Sequence, residues 1–171
     1  YRGDAEAQPS CLNVLLYASL FHQCVAGPIV RYKTIAHELF VERDSRDILP
    51  GISRFTVGLA KKTLLANPCG ALADQLLLTT DAASNASLFS ENLASLSGLS
   101  ALGAWVGVAA FMMQIYLDFS AYSDMAIGMG RMLGLHYLEN FDYPYLSKTV
   151  TEFWRRWHIS LGTFFRDYVY I

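Results

Sequence analysis

The chain has 171 residues, enough for one domain with a core of its own. Apolar residues make up 53% and charged residues 16%, against about 45–50% and about 25% in soluble domains, so the composition argues against an ordinary soluble surface and for contact with lipid. A net charge of −2 excludes the basic footprint of a nucleic-acid binder.

Residues 1–10 are polar and read as a loop. Residues 11–30 hold no Asp, Glu, Lys or Arg, about the length that spans a hydrocarbon core of roughly 30 Å. The Gly27-Pro28 pair predicts a broken helix there. Residues 31–47 are charged and mixed, a solvent loop or an interfacial helix. Residues 48–78 are mostly apolar but carry Lys61-Lys62 and Asn67-Pro68, and predict two shorter helices lying near a surface or partly embedded. Residues 79–98 form a Ser/Asn/Ala-rich linker without Lys or Arg, and Asn85-Ala86-Ser87 within it is a glycosylation triplet. Residues 99–117 are the cleanest span, free of charge throughout. Residues 119–135 are helical in pattern, interrupted by Asp124 and Arg131. Residues 138–145 hold Asn140, Asp142 and Pro144 and read as a turn. Residues 149–170 predict one amphipathic, aromatic, interfacial helix. The fold class expected is all-α: a multi-span helical membrane bundle, with residues 1–171 as part of one domain. The chain begins at Tyr1 and stops at Ile171 inside an amphipathic stretch, so it reads as an internal piece of a longer protein.

Lys148, Arg155, Arg156 and Arg166 follow the 99–117 span, whereas the 79–98 linker has no cation. The positive-inside rule places the cluster on the cytoplasmic side and the linker outside.

A charge beside or inside a bilayer is costly and needs a partner or a task. Asp118 and Tyr122, four apart, share a helix face. Asp124 and Arg131, seven apart, predict an ion pair. That pair is either structural or part of a polar wall along a substrate or proton path. In the stretch TEFWRRWHISL, Glu152 reaches Arg155 or Arg156, and Trp154 and Trp157 suit the headgroup level. His158 is then an interfacial histidine with a hydrogen bond, or a general base or orienting group for a hydroxyl. Ser160 and Asp167 do not stand in a triad pattern with it. No histidine has an Asp five residues on, no histidines have metal-ligand spacing, and no phosphate-binding Gly loop occurs. Cys11, Cys24 and Cys69 make neither a disulfide framework nor a zinc site, and read as small apolar fillers.

The block YLDFSAYSDMAIGMGRMLG, followed by ENFDYPYLSKTVTEFWRRWHISLGTFFRDYVYI, resembles the membrane-bound O-acyltransferase superfamily, and most of all its bacterial alginate O-acetyltransferase branch. Tyr1-Arg2-Gly3, AGPIVRYK at residues 26–33 and RFTVGLAKKTLLAN at residues 54–67 agree in order, so the resemblance covers nearly the whole chain. Gly162 and Phe164 depart from it, standing where Ser and Trp are expected.

The resemblance implies a multi-pass protein of the bacterial plasma membrane. It passes an acetyl group from a thioester donor, acetyl-CoA or an acyl carrier, to hydroxyls of an exported polysaccharide such as alginate. It implies no bound cofactor or metal, and partners among membrane lipid and extracytoplasmic acetylation proteins. His158 matches one of two histidines of such sites. The principal one lies in a Trp-His-Gly context that does not occur here, so the 171 residues alone are expected to be inactive. Arg155, Arg156 and Arg166 would then meet donor or lipid phosphates, while Asp118, Asp124 and Tyr122 would line or brace the site. Two alternatives stand beside this: D-alanyl transfer to teichoic acid, and a non-catalytic scaffold or acyl-conducting subunit.

Overall fold

The computed structural model describes residues 8–24, 27–41, 45–77, 90, 93, 94 and 96–170. The glycosylation triplet and most of the 79–98 linker lie outside them. All regular structure among the described residues is helical. The main elements are α1 (Cys11–Ala18), α2 (Tyr32–Ile35), α3 (Ile48–Ala60), α4 (Asn67–Leu77), α5 (Ala101–Met132), α6 (Val150–Arg156) and α7 (Ile159–Phe165). The chain falls into two compact units, Tyr1–Gly58 with Tyr122–Ile171, and Leu59–Ala121.

Three elements differ from expectation. In residues 11–30 the first helix stops at Ala18, well before Gly27-Pro28, and a 3₁₀ turn at Phe21–Gln23 follows. In residues 48–78 the helical path does not break at Asn67-Pro68. It passes through a π-helical segment, Lys61–Ala66, directly into α4. Pro68 has no N–H, and its ring crowds the carbonyl one turn back; the wider π turn just before it accommodates both. Third, α5 runs unbroken through Asp118, where the sequence suggests a division. Among the described residues, α5 is the helix long and apolar enough to cross a membrane.

In the unit Leu59–Ala121, the end of α3, the π segment and α4 pack against the first part of α5. Lys61 meets Ser120, Lys62 meets Asp118, Gly70 meets Gln114 and Leu77 meets Gly107. The descending partner numbers show that the two helices run antiparallel. The outer faces are apolar and exposed, with Leu64, Leu102 and Trp105 each more than 70% accessible. Such a helix has no polar face to give to water.

In the other unit, Leu20, Val30, Ile35, Leu39, Ile127, Leu135 and Tyr137 form the core, with Tyr17 and Tyr32 packed on it. Tyr17 closes this core by donating to the Val30 carbonyl at 2.6 Å. His22 is buried, stacks on Tyr137 and hydrogen-bonds its hydroxyl. At the end of α5, Gly134 takes φ 70°. The Leu135 N–H donates to the Gly130 carbonyl and the Gly134 N–H to that of Arg131, each at 2.9 Å. This is a Schellman cap, which favours glycine at the left-handed position, and it turns Leu135 into the core.

Helices α3 and α5 touch backbone to backbone at Gly51 and Gly128. A Cβ on Gly128 would sit 2.6 Å from the Phe55 nitrogen and 2.8 Å from the Gly51 oxygen. Main-chain atoms cannot swing aside as a flexible side chain does. Gly128→Ala is therefore expected to destabilise the protein by about 1–3 kcal/mol, read as a lower midpoint of thermal unfolding in detergent. A midpoint equal to wild type would show that the helices do not cross this closely.

Candidate functional site

The site is built around the stretch that was expected to be one helix, residues 149–170. It is instead broken at His158. Helix α6 has a good start: Thr149 Oγ1 accepts from the Glu152 N–H at 3.1 Å, and the Glu152 carboxylate accepts from the Lys148 N–H at 3.0 Å. This Thr-x-x-Glu pattern is a capping arrangement. The helix ends at Arg156, Trp157 is extended, and His158 takes φ 47°, ψ 55° before α7 begins. A left-handed conformation is uncommon for a residue other than glycine, and less rare for His, Asn and Asp. It costs on the order of 1–3 kcal/mol and persists only where the surroundings enforce it.

Asn140 enforces it. It is fully buried. Its backbone carbonyl accepts from the Ile159 N–H at 2.9 Å. Its side-chain Oδ1 accepts from the Ser160 N–H at 3.1 Å and from the Ser160 hydroxyl at 2.9 Å, and lies 3.2 Å from His158 Nδ1. Two residues on, the Asp142 N–H donates to the Arg156 carbonyl at 2.9 Å, closing the end of α6. Beside this, Trp157 packs edge-on against Phe141 and stacks with Phe153, which in turn stacks with Tyr145. The break is thus held by the 140–145 segment through polar contacts on one side and aromatic ones on the other.

Ser160 links the break to a cleft of about 240 Å³ lined in part by Ile29, Arg31, Glu139, Ser160, Thr163 and Arg166. The Ser160 hydroxyl accepts from the Ile29 N–H at 3.0 Å. Arg31 pairs with Asp167 at 2.6 Å and lies over the Tyr168 ring at 5.4 Å. Arg166 binds the other Asp167 oxygen at 2.8 Å. Hydrogen bonds from Arg166 and then Arg31 hold the Asp167 carboxyl below the usual carboxylate range. Burial holds His158 below the ordinary imidazole value, favouring the neutral ring. A neutral imidazole can accept a hydroxyl proton, and the cleft beside it carries two arginines and one carboxylate.

The sequence-predicted residues are distributed as follows. His158 and Arg166 belong to this corner. Arg156 pairs with Glu152 at 2.9 Å and Asp142 at 3.5 Å, so of the two partners expected for Glu152 it is Arg156 that is used. Arg155 is exposed, and no ion pair of it is found among the described residues. The expected pair between Asp124 and Arg131 does not form. Seven residues separate them by about 10 Å along a helix axis, and each finds a closer partner: Asp124 with Arg54 at 2.6 Å, Arg131 with Asp47 at 3.3 Å. Asp118 and Tyr122 share a face yet serve different neighbours. Asp118 pairs with Lys62 in its own unit, and Tyr122 donates to the Cys24 carbonyl at 3.1 Å. Ser160 lies 3.4 Å from His158 Nδ1, but its proton goes to Asn140, and Asp167 serves two arginines, so no nucleophilic triad is assembled. Among the described residues no group of His, Cys, Asp and Glu could hold a metal ion.

Three residues that matter here were not singled out from the sequence. Arg54 carried a signal: it is the single charge in α3 and so required a partner. Asn140 and Arg31 gave none beyond lying in the quoted blocks, because their partners are 18 to 136 positions away.

Residues 4–171 match the family described as MBOAT, membrane-bound O-acyltransferase. The chain belongs to that family. It is 38% identical over its whole length to a protein described as a probable alginate O-acetylase, AlgI, from Pseudomonas aeruginosa, and covers 30% of that protein. A peptidoglycan O-acetyltransferase from Helicobacter pylori is 34% identical over 94% of this chain and 28% of its own length. A teichoic acid D-alanyltransferase from Bacillus subtilis is 28% identical over 94% of this chain and 38% of its own. The chain thus spans between 28 and 38% of the length of these relatives.

Proposed function

We propose that the protein is a multi-pass membrane O-acetyltransferase that passes an acetyl group from a thioester to hydroxyls of an exported polysaccharide. Family membership supports acyl transfer. Identities of 38% and 34% to O-acetyl-transferring relatives, against 28% to the D-alanyl one, favour acetyl over D-alanyl. The observation that carries the site is the strained, half-buried His158 held at a helix break beside a cleft lined in part by Arg31 and Arg166.

The sugar oxygen attacks the thioester carbonyl carbon and the C–S bond breaks. The hydroxyl proton passes to a histidine base and on to the departing thiolate. In this reading His158 accepts a hydrogen bond from the hydroxyl and orients it, while the principal base is the Trp-His-Gly histidine that the resemblance places outside these residues. Arg166 and Arg155 hold phosphates of the donor or of lipid. Arg156, tied to Glu152, shapes the end of α6. Asp118, Tyr122 and Asp124 brace α5. The exposed apolar faces meet lipid, in the plasma membrane of a bacterium, with the Arg155–Arg166 region toward the cytoplasm. Extracytoplasmic partners complete delivery to the polymer.

The test supplies membranes containing the whole protein with a thioester labelled in its acetyl group and with polysaccharide. Label appearing on the polymer as an alkali-labile ester is the expected result. Transfer of D-alanine from a carrier instead, or no transfer at all, overturns the proposal in favour of the D-alanyl or the scaffold reading.

A further inference from the structure

We propose that Asn140 is a positioning residue for acetyl transfer: it fixes the proton of the neutral His158 ring on Nδ1 and leaves Nε2 as the ring's hydrogen-bond acceptor. The inference rests on the reading of His158 as part of the transfer site.

The Ser160 backbone N–H lies 3.1 Å from one side-chain terminus of Asn140. A backbone N–H only donates, so the atom facing it is the amide oxygen and not the amide nitrogen. That settles the orientation of an amide group whose two ends are otherwise alike. The same oxygen lies 3.2 Å from His158 Nδ1. An oxygen acceptor there requires a proton on Nδ1, which in a neutral ring leaves the lone pair on Nε2. Ser160 cannot reverse the assignment. Its hydroxyl proton goes to the same Oδ1 at 2.9 Å, and its oxygen already accepts from the Ile29 N–H.

Fixing the oxygen this way has a cost. Asn140 Nδ2 is buried and has no hydrogen-bond partner among the described residues. An unsatisfied buried donor costs about 1–3 kcal/mol, and such exceptions in a folded protein call for a reason. Control of the ring tautomer is that reason here. The arrangement is that of a histidine oriented by a third group, with an amide in place of a carboxylate. An amide orients the ring without adding a charge that would favour the imidazolium.

The experiment uses the whole protein labelled with ¹⁵N-histidine, and compares wild type with Asn140→Ala and Asn140→Asp. Among the described residues the charged groups around this corner include Glu139, Arg31 and Arg166 on the cleft, and Asp142, Glu152, Arg156 and Asp167 beside it; all stay in place in both variants. In wild type the His158 signals are expected to show Nδ1–H at neutral pH. Asn140→Ala is expected to lose that signature and to slow acetyl transfer about tenfold or more. Asn140→Asp keeps an acceptor at the same place, so the signature persists. The new carboxylate moves the His158 titration upward, and the acid limb of the rate moves with it. Because Asn140→Asp keeps size and acceptor, it guards against a fold defect in the alanine variant. An unchanged His158 signature in Asn140→Ala overturns the assignment of Asn140, whatever the rate. A lost signature with wild-type transfer supports the assignment and overturns the part given to His158 in the reaction.

Discussion

His158→Asn in the whole protein is expected to cut polysaccharide acetylation about a hundredfold or more, the scale of a lost acid–base or hydroxyl-orienting group, while the protein accumulates normally. Asparagine is the informative replacement because of the backbone. His158 stands at φ 47°, and Asn tolerates the left-handed region better than most residues, with Gly better still. His158→Gly should therefore match or exceed wild type in thermal stability and still fail to transfer acetyl groups. His158→Ala removes the ring but keeps the backbone strain, so it mixes two effects. Ester content of the exported polymer, together with protein level in the membrane, gives the comparison. Normal acetylation by His158→Gly would reduce His158 to a hinge between α6 and α7.

Arg54→Met is expected to destabilise the protein by about 3–5 kcal/mol. Arg54 donates from Nε at 2.9 Å and from Nη2 at 2.6 Å to Asp124, and from Nη1 and Nη2 to Glu139 at 2.9 and 2.6 Å. Asp124 is 8% exposed. Without Arg54 the buried Asp124 carboxylate loses both of these hydrogen bonds, which is the costly way to break such a pair. Replacing both partners, Arg54→Met with Asp124→Leu, should recover most of the loss, because no charge is then stranded. Glu139→Gln should cost less than about 1 kcal/mol, since that carboxylate is more than half exposed. Thermal unfolding in detergent orders the four proteins. A single Arg54→Met variant as stable as wild type would mean that Asp124 is satisfied without Arg54. The consequence reaches the site, because Glu139 directly precedes Asn140 and Arg54 ties that segment to α3.

Local chemistry made parts of this legible. The charge-free run at 99–117 and the helical pattern at 119–135 announced two helical segments, and α5 joins them without a break at Asp118. A helix was expected from residue 149, and α6 begins at Val150 with Thr149 as its cap. The break at His158 had no such sign. No Gly or Pro marks it, and the bonds that enforce it come from Asn140, 18 to 20 positions earlier. The same holds for the ion pairs. Spacing along one helix proposes partners on that helix, but Asp124 and Arg131 each bind a residue 70 or more positions away. The candidate histidine was found through its motif; the group that orients it needed the tertiary fold.

The most direct measurement is the initial rate of acetyl transfer from an acetyl thioester to polysaccharide by the purified whole protein in liposomes, wild type beside His158→Asn. The wild type is expected to consume thioester and form sugar ester, and the variant to do so at a rate lower by about a hundredfold or more. Equal rates from the two proteins, or no acetyl ester from the wild type, would contradict this expectation.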